Sequence, residues 1–171
     1  MKASREGSPL IENIVASCYT VPTETPESDG TLSWTETTLV LVEAQAGGET
    51  GIGYSYADVA TGKLVESLLS DVVRGRNAFD VPGAHTSMLR KIRNIGRLGI
   101  ASMAISAVDN ALWDLKSRLL GVSLLELLGA VRESAMIYGS GGFTSYSIPK
   151  LQKQLGDRVI KPPRRSANDR H

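Results

Sequence analysis

The sequence predicts an α+β fold in which an antiparallel sheet comes before a group of helices. Up to residue 58 the apolar residues form short β-branched and aromatic runs, whereas from Thr61 they recur with the period of a helix. The glycine pair Gly47-Gly48 separates two of these runs, which is typical of a hairpin turn. Residues 104–120 form the longest helical pattern, and their wide apolar stripe indicates that this helix is mostly buried.

The first part of the chain predicts a three-stranded antiparallel meander. Glycine inside a strand marks a bulge or a close approach of another backbone, so Gly51 and Gly53 in the last strand predict such a contact. Trp34 is expected in the core. The polar segment between the first two strands contains two prolines and a glycine, which favours a mobile loop. The expected elements are strands at 10–21, 34–46 and 51–58, with the loop at 22–31.

Capping residues delimit the helices that follow. One helix starts at Thr61 and ends at Gly75, and a second follows Asp80 with Pro82 in its first turn. In the long helix six apolar residues lie within an arc of about 100°, with three polar residues opposite. Gly121 suits the end of this helix, and Ser123 and Glu126 have the spacing of a capping box. The apolar residues are Ala104, Val108, Ala111, Leu112, Leu115 and Leu119, and the polar ones Ser106, Asn110 and Ser117.

Composition limits the classes of function. The chain has 171 residues, 42% of them hydrophobic, and a formal net charge of +1, so no overall field draws it to nucleic acid or to a membrane. Cys18 is the only cysteine, which excludes an intramolecular disulfide and a cysteine-rich zinc site. Neither a signal peptide nor an apolar run long enough for a membrane span is found, so we expect a soluble, cytoplasmic protein.

No residue pattern by itself indicates catalysis or metal binding. Asp109 and Asp114 lie about 140° apart on a helix, so they cannot share an ion, and we expect Asp114 to pair with Arg118. Trp113 is expected to be a packing anchor, and His85 is interpreted as a solvated residue in preference to a general base. A basic cluster lacks the interleaved aromatic residues of a single-strand binder, so nucleic-acid binding is not expected. Its members are Arg90, Lys91, Arg93 and Arg97.

A glycine-serine segment, GSGGFTS at 139–145, follows an expected buried strand at 135–141 and precedes a helix capped by Ser147. It lacks the spacing of a P-loop or of a dinucleotide site, so a flexible loop is favoured over an anion site.

The sequence AISAVDNALWDLKSRLLGVSLLELLG at 104–129, followed by IYGSGGFTSYS at 137–147, resembles the mandelate racemase and muconate-lactonizing enzyme branch of the enolase superfamily. The resemblance covers residues 10–157. It implies an enolase N-terminal-like capping domain at 1–130 and one βα unit of an incomplete TIM barrel at 131–157. We expect the rest, 158–171, to be a disordered basic tail.

In that family, as the resemblance implies, a complete barrel binds Mg²⁺ through three carboxylates, and lysine or histidine bases remove the proton α to a substrate carboxylate. A barrel takes about 250 residues, whereas 41 follow Ala130, and the family's K-x-K base motif does not occur in the tail. We therefore expect no catalytic residue, metal ligand or cofactor in this chain. A shifted reading frame, an early stop and a natural short product remain open as explanations of the change in composition near Arg158.

The resemblance also implies which residues contact a small carboxylate substrate in a complete enzyme. The loop after the first strand and the turn after the third close over the barrel mouth. For Tyr54 and Tyr56, packing within the strand is an equally favoured alternative to contact with a substrate. The expected function is that of a fragment of a sugar-acid dehydratase, racemase or cycloisomerase, inactive alone; the alternative is a module that associates with itself or with a complete subunit through an unpaired barrel strand. The candidate substrate residues are Tyr54, Tyr56, Asp58, Tyr138, Ser140 and Gly141.

Overall fold

The computed structural model describes residues 7–132, 134–136 and 141–157. These residues form two compact units, each with its own internal contacts. The first unit contains residues 7–21 and 36–132, and the second contains residues 22–35, 134–136 and 141–157. The expected tail at 158–171 lies outside the described residues, as do residues 137–140 of the expected strand at 135–141. Ala135 and Met136 of that strand are described; they are exposed and have no regular secondary structure.

The three-stranded antiparallel sheet is confirmed, with the order β1-β2-β3 along both the sheet and the chain. Its strands are β1 (Asn13–Ser28), β2 (Ser33–Ala46) and β3 (Glu49–Tyr56). A two-residue turn joins β2 to β3, with Ala46 opposite Glu49, φ of 56° at Gly47 and φ of 79° at Gly48. Two consecutive positive φ angles are what a tight hairpin of this length requires.

The expectation of a loop at 22–31 is wrong. β1 continues to Ser28 and β2 begins at Ser33, so only residues 29–32 form the turn. β1 is an edge strand, where a missing N–H on the outer side costs no ladder hydrogen bond. Pro22 and Pro26 are four residues apart, so both point their ring nitrogens to the same edge and the strand accommodates them together.

The caps predicted for the helices are confirmed. Asp80 accepts a hydrogen bond from Gly83 N at 3.1 Å, Gly121 has the left-handed φ of 66°, and Ser123 and Glu126 form the reciprocal capping box. A π-helical segment, Val65–Leu69, joins the first two helices. The helices are α1 (Val59–Leu64), α2 (Ser70–Val73), α3 (Val81–Lys91), α4 (Ile100–Leu120), α5 (Leu124–Leu128) and α6 (Ile148–Asp157).

The core of the first unit lies between the sheet and α4. Along β2 the inward positions Val40, Val42, Ala44 and Ala46 are completely buried, as are five of the six predicted α4 positions. The sixth, Leu119, is partly buried against the same core.

Two burial expectations are wrong. Ser117 is buried rather than wet, because its hydroxyl donates to the Asp114 carbonyl at 2.8 Å and so needs no water. Trp34 is half-buried in the second unit and is not part of this core.

The predicted close approach at Gly51 and Gly53 is also confirmed. A Cβ added at Gly51 would lie 2.5 Å from Leu115 Cα, and one at Gly53 would lie 3.0 Å from Asn110 Cβ and still closer to the backbone of Ala107. The backbone of β3 therefore packs directly on α4, with no side chain between them.

We expect Gly53→Ala to lower the free energy of unfolding by about 3 kcal/mol or more, because the new methyl group meets helix backbone that cannot rotate away. Urea denaturation followed by circular dichroism measures this change. Gly30→Ala is the matched control, since no described atom lies within 4 Å of its Cβ position. An equal denaturation midpoint for the two variants would contradict the packing.

Candidate functional site

The end of β3 presents two tyrosines to solvent. Tyr54 is 65% exposed and Tyr56 is 69% exposed, and both alternate along the strand with the glycines that face α4. Successive side chains of a strand point to opposite faces, so both tyrosines lie on the face away from the helix. Both tyrosines follow the period of two that strand packing predicts, and neither is buried.

Asp58 caps α1 directly after this strand. Its Oδ1 accepts a hydrogen bond from Ala60 N at 2.8 Å, and its carbonyl accepts one from Thr61 N at 2.9 Å. The side chain therefore fixes the point where the chain leaves β3 and enters the helix. Of the remaining candidates, Gly141 is exposed, whereas Tyr138 and Ser140 lie outside the described residues.

An open groove of about 560 Å³ runs beside the edge of β3. Asp114 is its central charge: its Oδ2 accepts from Ile52 N at 2.8 Å and from Arg118 Nε at 2.8 Å. The ion pair with Arg118 was predicted from the i,i+4 spacing, whereas the bond to the strand was not, since spacing gives no tertiary contact. The lining residues are Ile52, Gly53, Tyr54, Asn110, Asp114, Arg118 and Leu124.

The two aspartates of α4 are separated, as predicted. Asp109 lies 3.1 Å from His85 Nδ1 on α3, while Asp114 bonds to β3. The side chain of His85 is 40% exposed, so the interpretation as a solvated residue holds only in part: it also forms a partly exposed polar pair. Among the residues that the structure describes, no three His, Cys, Asp or Glu side chains are grouped so that they could hold a metal ion.

The second unit contains a polar and aromatic cluster that sequence reasoning missed. Glu27 accepts hydrogen bonds from Trp34 Nε1 at 2.9 Å and from the Tyr146 hydroxyl at 3.3 Å. Phe143 makes edge-to-face contacts with both rings, with centroids 5.4 Å apart in each case. Residues more than 100 positions apart meet here, as in the 119-residue separation of Glu27 and Tyr146. The only sign of this cluster in the sequence is that aromatic residues occur in both of its segments, Trp34 in the first and Phe143 and Tyr146 in the second.

Asp29 organises the turn of the β1–β2 hairpin. Its Oδ1 accepts from Thr31 N at 2.6 Å, from Leu32 N at 2.8 Å and from the Thr31 hydroxyl at 2.9 Å. The hydrogen bonds from the Leu32 and Thr31 backbone stabilise the ionised form and lower the pKa of Asp29 below its ordinary value of 3.8.

A three-stranded antiparallel sheet followed by helices, with one long helix buried on the sheet, is the architecture of an enolase-type N-terminal capping domain. Residues 13–129 match the family model described as Mandelate racemase / muconate lactonizing enzyme, N-terminal domain. The chain belongs to this family.

Similar proteins agree with this assignment. The chain is 31% identical over 165 residues to L-talarate/galactarate dehydratase of Salmonella typhimurium, covering 90% of this chain and 42% of that enzyme. A crystal structure of that dehydratase with Mg and L-lyxarohydroxamate superposes with a TM-score of 0.78, at 30% identity, and covers 92% of this chain and 43% of the enzyme.

A mandelate racemase/muconate lactonizing enzyme-like protein from Rubrobacter xylanophilus superposes with a TM-score of 0.85 at 52% identity. That match covers 86% of this chain and 41% of the other. The chain thus spans about two-fifths of the length of these relatives. Among the helices that the structure describes, none combines the length and the apolar character required to cross a bilayer.

The backbone amide resonances of Thr31 and Leu32 should titrate with a midpoint below 3.8, because the folded pKa of Asp29 is depressed. The carboxylate therefore stabilises the turn fully above its ordinary pKa, and this stabilisation is lost as pH falls through the lower, folded value. NMR spectra recorded as a function of pH measure the midpoint, and Asp29→Asn should abolish the titration. A midpoint at or above 3.8 would show that these bonds are not made.

Proposed function

We propose that this chain forms the substrate-facing cap of an enzyme that removes a proton α to the carboxylate of a sugar acid. A dehydratase is the preferred reaction class, with racemisation and cycloisomerisation as related outcomes. The supporting observation is that residues 13–129 match the N-terminal domain of this family, whose similar members include a galactarate dehydratase.

The cap supplies contacts and shape instead of reacting groups. A proton beside a carboxylate is so weakly acidic that its removal near pH 7 needs a base and a cation that holds the developing charge. In the family that cation is Mg²⁺, and the described residues do not fit it, since they include no cluster of three ligands. We therefore propose that the 171-residue chain alone is inactive, has no cofactor of its own, and works with the residues of a complete enzyme.

The proposed substrate contacts lie at two places in the chain. Tyr54 and Tyr56 lie at the end of β3, and Asp58 lies two residues beyond it. The tyrosine hydroxyls can donate hydrogen bonds to the hydroxyls of a sugar acid and accept hydrogen bonds from them. Tyr138, Ser140 and Gly141 are proposed to contribute from the segment after the capping domain. Gly141 is exposed, as a substrate contact requires.

The purified 171-residue chain, incubated with Mg²⁺ and a panel of sugar diacids, should produce no dehydrated product, because the described residues include no group of three ligands that could hold a metal ion. Detection of 2-keto acids by semicarbazide measures turnover. Dehydration that a chelator abolishes would overturn the proposal of inactivity.

A second function is favoured by a separate observation, the exposed apolar side of α5. No residue of this helix is buried, and Leu125 and Leu128 are 60% and 59% exposed. Val131, which follows, is 89% exposed. Apolar groups gathered on one side of a short helix are typical of an interaction surface, so the alternative is a module that associates with itself or with a complete subunit.

Light scattering coupled to size-exclusion chromatography distinguishes this alternative from a monomeric cap. If α5 mediates association, the chain should run as a dimer or larger species, and the double variant L125K/L128K should be monomeric because charge opposes burial of the leucine side. Leu98→Lys, at an exposed apolar residue that precedes α4 and does not line the groove beside α5, is the control. A wild-type monomer that binds no hydrophobic dye would exclude the module.

A further inference from the structure

The distal part of the β1–β2 hairpin is held to the segment at 142–150 by two kinds of contact. At its periphery are neutral hydrogen bonds: Thr144 N donates to the Ser28 carbonyl at 2.9 Å, and the Ser145 hydroxyl donates to the Pro26 carbonyl at 2.8 Å. At its centre are Glu27, Trp34, Phe143 and Tyr146, which we call the latch.

Glu27 is the only charged member of the latch and touches both of its sides. Trp34 belongs to the hairpin and Tyr146 to the segment, and each donates to a different oxygen of the Glu27 carboxylate. Hydrogen bonds to an ionised acceptor are stronger than neutral ones, and these two are partly buried. Removing the Glu27 carboxylate therefore breaks the bonds to Trp34 and Tyr146 together, whereas loss of one peripheral hydrogen bond breaks a single contact between the hairpin and the segment.

Tyr146 donates to Glu27 as a neutral phenol, its ordinary state at neutral pH. Burial and the negative charge of Glu27 raise the pKa of this phenol further above its ordinary value of 10.0. Lys150 lies over the Tyr146 ring, with Nζ 3.9 Å from its centroid, and donates to the Thr25 hydroxyl at 2.6 Å. The lysine thus ties a third point of the segment to the hairpin beside the latch.

We propose that Glu27 is a positioning residue, whose carboxylate, bridging Trp34 and Tyr146, fixes the β1–β2 hairpin against the segment that follows the capping domain. The position of the hairpin then depends on this partly buried pair of hydrogen bonds in addition to the peripheral bonds and the strand ladder. Its consequence for substrate selection rests on the proposed function, because the hairpin limits the size of a substrate only if the cap faces one.

Two substitutions at Glu27 remove its acceptor oxygens to different extents. Glu27→Met keeps the length of the side chain and removes both acceptor oxygens, while Glu27→Gln keeps one carbonyl oxygen and removes the charge. Tyr146→Phe removes only the hydroxyl donor. Glu36→Met and Glu36→Gln make the same chemical changes at an exposed glutamate of β2, two residues beyond Trp34, and serve as matched controls.

The first measurement is hydrogen exchange of the full chain at neutral pH, read in peptides from 22–33 and 142–150. We expect roughly tenfold faster exchange in both peptides for Glu27→Met, and a smaller increase for Glu27→Gln and Tyr146→Phe, as loss of charge-assisted bonds predicts. Exchange in α4 should not change. The Glu36 variants should match the wild type.

The second measurement is the Trp34 indole N–H resonance, assigned by comparison with Trp113→Phe. It should move upfield in both Glu27 variants and keep its position in Tyr146→Phe, because that variant leaves the bond to Trp34 intact. Equal exchange in the Glu27 and Glu36 variants, or acceleration that extends equally into α4, would overturn the proposal. Neither measurement uses a substrate, so a failure of the proposed function leaves this result independent.

Discussion

The direct contact between the backbones of β3 and α4 is the constraint on which the first unit depends. Two glycines on one strand face let the helix lie on the strand at a distance that a single methyl group would prevent. Small helix residues complete the contact, since Ala104, Ala107 and Ala111 are fully buried. A helix held this closely cannot slide or rotate without a clash, so its register on the sheet is fixed.

This contact also determines what the end of β3 exposes. Because the glycine positions face the helix, the alternate positions, Tyr54 and Tyr56, must face away from it. A one-residue slip would send the tyrosines into the helix backbone, which is sterically impossible. Asp114 of α4 also fixes this register, since its carboxylate accepts a hydrogen bond from Ile52 N. The exposed tyrosines thus stand on a rigid platform, which is what a residue that selects a ligand by shape requires.

Local signals predicted most of this first unit. Caps at Asp80, Gly121 and Ser123 depend on neighbouring residues only, and the apolar stripe of α4 follows from its period, so the sequence contained them. Trp34 and the hairpin were misjudged because prolines were read as loop formers, whereas an edge strand tolerates them. The Glu27 cluster could not be predicted, because its partners are brought together by the tertiary fold across a long separation in sequence.

Hydrogen bonds occupy the carboxylates that position the strand end and the hairpin. Four carboxylates accept hydrogen bonds in this way. They are Asp29 in the hairpin turn, Asp58 at the start of α1, Asp114 of α4 where it meets β3, and Glu27 in the latch. These donors, from backbone N–H groups and from side chains, hold each carboxylate in one position. Such groups are suited to hold backbone and aromatic side chains in place. The same hydrogen bonds fix the strand end and the hairpin, so if the cap faces a substrate as proposed, its shape and the exposed tyrosine hydroxyls are the features that would discriminate among substrates.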